Sequence, residues 1–246
     1  MKIFLTKAVA AMGLCLLSWP AYAASNPVTI QVPGLTAKGD SLPWTIVVLL
    51  TVLTVLPALL LSMTPFVRLL VIFHFLRQAL GTQTTPSNQT LIGLSLFLTW
   101  FLMQPVGAAI NVAAVQPLRA GTITAVEALE RASGPARDFM LRYAREKDLA
   151  LFLEAAKLPR PKNAQELPMR VVAPAYLLSE LKAGFQIGAV LFLPFLVVDL
   201  VVASVTTSIG MLQLPPVVVS TPLKILLFVM VDGWNLLVQG ILKSFA

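Results

Sequence analysis

One cysteine and one histidine are all that the chain offers of the two side chains on which most metal and nucleophile chemistry rests. Cys15 lies in an N-terminal apolar stretch, and the residues before it, Met12, Gly13 and Leu14, make a poor lipoprotein acceptor site. Without that stretch no thiol remains, which excludes disulfides and cysteine metal sites. His74 stands between Arg68 and Arg77 and reads as a packed or interfacial imidazole rather than a proton relay. There is no HExxH, no G-x-S-x-G, no P-loop glycine run and no carboxylate cluster at metal-ligand spacing. Neither an enzyme nor a cofactor or metal site is expected. Charge is scarce as well: 12% of the 246 residues are charged against 57% hydrophobic, and the mean hydropathy is +0.84. A soluble domain of this size cannot hide that much apolar surface, so lipid is the expected solvent. The net charge of +7 is scattered, without the aromatic-interleaved basic stripe of a nucleic-acid groove, and no nucleic-acid partner is expected.

What is present is apolar and periodic. Lys2 and Lys7, the apolar run from Ala8 to Trp19, and Ala21-Tyr22-Ala23 together read as a cleavable signal peptide over residues 1–23, with the mature chain starting at Ala24. A retained anchor is the alternative, although the stretch is short for a span. Residues 44–63, "WTIVVLLTVLTVLPALLLSM", carry no charge and have the ~20 residues a bilayer crossing needs. Hydrophobic helices are also expected at about 91–110, 187–209 and 225–242, within a single domain over 24–246. Pro57, Pro105, Pro194 and Pro222 lie in or beside these runs and free backbone carbonyls, so kinked helices packed against protein are expected. The fold class is all-α. Residues 111–186 carry most of the charge of both signs, with Phe139 and Tyr143 at i, i+4, and read as a small water-facing helical subdomain. Its eleven Lys and Arg residues argue for the cytoplasm if simply counted. Long loops cross largely regardless of charge, however, and a cleaved signal leaves the mature N-terminus outside, which places the subdomain in the periplasm. Phe139, Tyr143 and Phe152 are its expected anchors for contacts within or between subunits.

The remaining charges need partners. Glu180, Gly184 and Gly188 fall at successive i+4 positions, which sets a carboxylate above a small-residue groove on one helix face. Lys182 points to the other side, and Lys224 is expected as the partner of Glu180, within or between subunits. Asp199 and Asp232 lie inside apolar runs and read as buried carboxyls that fix helix packing, or alternatively as parts of a proton or ion path.

The blocks "LPALLLSMTPFVRLLVIFHFLRQALGTQTTPSNQTLIGLSLFLTWFLMQPV", "PAYLLSELKAGFQIGAVLFLPFLVVDLVVASV" and "LPPVVVSTPLKILLFVMVDGWNLL" resemble, in order, the FliP family of flagellar type III export-gate proteins and its injectisome relatives. The signal peptide and the long middle loop favour the flagellar branch. This resemblance implies a subunit of the basal body in the bacterial inner membrane, assembled as a ring of several copies, five in the family, with FliR and FliQ. It also implies FlhB and FlhA as neighbours, unfolded flagellar subunits as cargo, and helical hairpins held largely above the membrane plane. The family closes its pore with a methionine-rich stretch, and the matching positions here are Met211, Leu212 and Gln213, which keep one methionine. An ordinary turn stopped by Pro215 and Pro216 is the alternative there. A reading from another class also stays open, a small ion channel or secondary transporter using Asp199 or Asp232.

Overall fold

The structure, a computed structural model, describes residues 42–159, 163–210 and 215–245. Every regular element among them is helical. The chain divides by its contacts into residues 1–51 and 52–246. The described part of the first unit is the uncharged beginning of helix α1, Leu42–Ser62, in which the Thr51 hydroxyl donates to the Val47 carbonyl at 2.8 Å. The second unit contains the rest of α1, then α2 (Phe66–Ala79), α3 (Asn88–Ile110), the short α4 (Gln116–Arg119), α5 (Ala125–Tyr143), α6 (Glu146–Ala155), α7 (Met169–Ser208), α8 (Pro216–Met230) and α9 (Gly233–Lys243).

Local chemistry sets the helix ends. Ser87 caps α3 by accepting from the Thr90 amide at 3.2 Å. Thr124 does the same for α5 from the Glu127 amide at 3.3 Å, with Glu127 in the first turn where the helix dipole favours an acid. Between α3 and α4 the chain winds as a π-helix over Asn111–Val115. Pro117 is the physical reason: in a regular helix its ring collides with the carbonyl of Ala113, and the wider turn makes room. Asn88–Arg119 therefore runs as one 32-residue, membrane-compatible helix.

The third apolar run and the segment leading into it form a single helix. α7 extends unbroken through Pro174 and Pro194 for 40 residues, so the water-facing subdomain expected over 111–186 shares its last residues with the apolar helix. At 1.5 Å per residue α7 is about 60 Å long, twice the ~30 Å hydrocarbon thickness of a bilayer. The last run, by contrast, breaks. α8 and α9 meet at 67° around Asp232.

Two apolar cores lie along these struts. One joins Leu69, Ile72, Phe73 and Leu76 of α2 to Leu91, Phe195, Phe228, Leu237 and Ile241. The other joins Val106 of α3 to Phe139 and Met140 of α5, Leu153 of α6, and Val171, Val172 and Tyr176 of α7. Both α3 and α7 contribute to each core, and Glu180 falls between the two contributions of α7.

Candidate functional site

Glu180 is fully buried. Its partner is Arg68, from the first turn of α2 and itself 5% exposed, whose Nη2 donates to Glu180 Oε1. The guanidinium is held from the other side as well. Its Nη1 donates to Ser244 Oγ at 3.3 Å, and its Cζ lies 4.0 Å from the centre of the Phe245 ring, a stacked cation–π contact. Tyr143 locks the C-terminal residues in place by donating its hydroxyl to the Phe245 carbonyl at 2.8 Å, with the two rings 5.2 Å apart. Elements far apart in sequence, α2, α5, α7 and the segment after α9, are thus joined at one buried charge pair.

The expected pairing of Glu180 with Lys224 is replaced within the chain. Lys224 Nζ donates instead to Asp199 Oδ2 at 2.5 Å. The reason is length: Asp199 lies nineteen residues beyond Glu180 on the same continuous helix, about 28 Å along it at 1.5 Å per residue. A lysine seated at one carboxylate cannot reach the other. The Lys224 side chain is 4% exposed and the Asp199 side chain 33%, so the ammonium is sealed while the carboxylate keeps an open side. Asp232 is likewise not a buried carboxyl. It is exposed, in a left-handed conformation at φ 52°, and forms the corner between α8 and α9. Aspartate tolerates that conformation better than most residues do.

The small-residue groove on α7 is occupied by α2 of the same chain. A Cβ built on Gly184 meets the Val71 side chain at 3.1 Å and the Arg68 carbonyl at 3.2 Å. One built on Gly188 meets the Phe75 ring at 2.5 Å. Close approach brings the Arg68 backbone near the face that carries Glu180, so the glycines and the ion pair belong to one contact.

Phe139 is 8% exposed and packs at 6.0 Å from Tyr176 and 5.0 Å from Tyr143, ring centre to ring centre. Phe152 is half-buried against the same core. All three aromatic anchors therefore make contacts inside one chain. Phe139 and Tyr143 also line a cleft of about 340 Å³ between α3 and α5. Met211, Leu212 and Gln213, and the signal segment with Cys15, lie outside the described residues. Their flanks are described: Gly210 ends α7 with φ 80°, the left-handed geometry for which glycine is suited, and Pro215 caps α8.

Sequence reasoning overlooked Arg68 as the partner of Glu180. A signal was available, because Arg68 lies in an apolar stretch with no acid nearby, and an unpaired cation there needs a distant carboxylate. The part played by Ser244 and Phe245 left no such trace.

Comparison with known proteins matches residues 49–241 to the FliP family model. A protein called "Flagellar biosynthetic protein FliP" from Bacillus subtilis (strain 168) is 48% identical over 200 residues, covering 81% of this chain and 90% of that one. One of the same name from Pectobacterium carotovorum subsp. carotovorum is 48% identical over 227 residues, 89% of this chain and 87% of that one. The one from Caulobacter vibrioides is 44% identical over 234 residues, 94% and 86%. With a family model spanning most of its length and relatives this similar over nearly their whole length, the chain belongs to the FliP family of membrane-associated flagellar export components.

Proposed function

We propose that this chain is a core subunit of the flagellar type III export gate. It forms, with FliQ and FliR, the channel through which unfolded flagellar subunits cross the inner membrane. Several copies, five by family resemblance, assemble around the pore, with FlhB and FlhA as neighbours and lipid at the periphery. The chain conducts and catalyses nothing, and its middle segment faces the periplasm. The observation that carries this reading is the family match over residues 49–241.

The fold adds physical support. α7 is too long to lie within hydrocarbon, and the charged helix α5 packs on the end of α3. Apolar side chains nevertheless face outward along α7 and α8, including Val190 (67% exposed), Leu200 (68%) and Val229 (65%). Exposed apolar surface of this kind is covered by lipid or by protein neighbours, and a subunit of a larger helical assembly supplies the latter. An ion channel or transporter built on Asp199 and Asp232 is less well supported. Asp199 is tied to Lys224, and Asp232 serves as a corner.

The gate at Met211, Leu212 and Gln213 belongs to the same proposal. Methionine and leucine side chains seal by dispersion and part without breaking strong bonds. Native mass measurement of the complex recovered with the tagged full chain tests the whole reading. A mass that accounts for several copies together with FliR and FliQ is expected, and recovery of this chain only as a monomer overturns it.

A further inference from the structure

Val126 and Leu129 are 78% and 75% exposed, one helical turn apart on α5. The helix is otherwise a charged, water-compatible one, and its inward-facing residues Ala128, Phe139 and Met140 are buried as expected. Two large aliphatic side chains standing exposed beside Glu130 are therefore not part of the packing among the described residues. On the far side of the same helix is the cleft of about 340 Å³, floored by Pro105, Val106 and Ala109 of α3 and walled by Pro135 and Phe139 of α5 and by Phe245. Asp138 and Arg142 stand at its rim, both exposed.

The two features point in opposite directions. Val126 and Pro135 are nine residues apart, as are Leu129 and Asp138, and nine residues make two and a half turns of helix. A chain with a knob on one side and a matching hollow on the other joins its copies head to tail, a heterologous contact that closes into a ring when the rotation allows. We infer that Val126 and Leu129 of one copy insert into the α3–α5 cleft of the next, with Glu130 of the first facing Arg142 of the second. The charges agree with this occupant. Glu127 on the knob side is already held by Arg131 at 2.7 Å, which leaves Glu130 as the acid flanking the knob. Arg142 is the cation at the rim of the hollow and Asp138 the acid there, so the charges favour the register that brings Glu130 to Arg142 and away from Asp138. The cleft's apolar floor and walls suit two aliphatic side chains, whose removal from water is favourable.

This inference rests on the ring of copies in the proposed function and specifies one of its contacts. Its test uses two differently tagged full-length chains expressed together, both with Cys15→Ser, one with Leu129→Cys and the other with Ala109→Cys. Under mild oxidation the mixed pair is expected to form a disulfide-linked dimer, and Leu129→Cys alone is not. In separate strains, Leu129→Asp is expected to reduce the recovered oligomer at least tenfold. Glu130→Arg and Arg142→Glu are each expected to reduce it, and the two together to restore part of it. If the wild-type chain yields no oligomer, the ring and this contact are both overturned. If the wild-type oligomer is recovered but the mixed pair gives no linked dimer and Leu129→Asp leaves the oligomer intact, this contact alone is overturned.

Discussion

Glu180→Ala leaves the Arg68 guanidinium buried without its carboxylate. Breaking a buried ion pair from one side costs about 3–5 kcal/mol, because the surviving charge stays in a low-dielectric site. The geometry here places the two single variants at different points in that range. Arg68 without Glu180 keeps Ser244 at 3.3 Å and the Phe245 ring at 4.0 Å. A desolvated cation–π contact of that kind is worth up to about 2 kcal/mol, so Glu180→Ala is expected near the lower bound, about 3 kcal/mol. At about 1.4 kcal/mol per factor of ten, that is roughly a hundredfold change in the folded-to-unfolded ratio. Arg68→Met instead leaves Glu180 fully buried beside Tyr176 without any cation, and is expected near the upper bound, about 5 kcal/mol. The double variant Arg68→Met with Glu180→Leu removes both charges and is expected to recover most of the loss, as isosteric apolar replacements of buried pairs often do. The measurement is the unfolding midpoint of the purified full chain in detergent, followed by far-ultraviolet circular dichroism. A Glu180→Ala protein as stable as wild type refutes the reasoning, and so does a double variant as unstable as the worse single.

The second ion pair carries an asymmetry. Asp199→Ala strands the sealed ammonium of Lys224, whereas Lys224→Met leaves a carboxylate with 33% of its side chain open, so the aspartate variant is expected to be less stable by about 1–2 kcal/mol in the same unfolding assay. Gly188→Ala drives a methyl group to 2.5 Å from the Phe75 ring and is expected to cost about 1–3 kcal/mol, with Phe75→Leu as a partial suppressor; equal stability of Gly188→Ala and wild type removes the close contact from the account. Met211→Gly with Leu212→Gly is expected to make resting cells leak small ions while the complex still assembles, read as membrane depolarisation. Tight membranes with an intact complex reduce that stretch to an ordinary turn.

The all-helical character was legible because runs of about 20 uncharged apolar residues leave a chain few alternatives in lipid. The position of the Glu180, Gly184 and Gly188 face was legible for a similar reason, since helical periodicity alone puts i+4 neighbours in line. What approached that face was not. Whether a small-residue groove takes α2 or another subunit depends on tertiary packing that spacing does not encode, and the choice among Arg68, Lys182 and Lys224 as ion partner depends on it too. The continuity of α7 was hidden by composition. Hydropathy marks only its apolar half, and the charges at Glu180 and Lys182 look like a boundary although the backbone continues through them. The break between α8 and α9 was hidden for the opposite reason. A glycine at that corner advertises a left-handed residue, whereas Asp232 inside an apolar run looks like a buried carboxyl.

The position of the Arg68 pair between the two cores explains why a polar contact stands where an apolar one is possible. Against lipid, or against other apolar helices, shifting α2 along α7 by one turn exchanges one aliphatic contact for another at little cost, because the medium outside is as apolar as the contact. The glycines do not prevent that shift alone, since they define a groove with two steps, Gly184 and Gly188, rather than a single seat. A buried guanidinium allows one register. Moving Arg68 by a turn, about 5.4 Å, takes it out of reach of Glu180 and leaves two opposite charges buried apart, each with a desolvation penalty of several kcal/mol. Fixing α2 on α7 also fixes what α7 carries at either end: Val171, Val172 and Tyr176 in one core and Phe195 in the other. Phe245, stacked on the same guanidinium and bonded to Tyr143, ties the end of α9 and the charged helix α5 to that register. The pair thus sets the relative placement of the two apolar cores and of the charged helix α5. A single copy has little need of such accuracy, but the proposed ring, in which each copy must present the same surfaces to its neighbours, would require it.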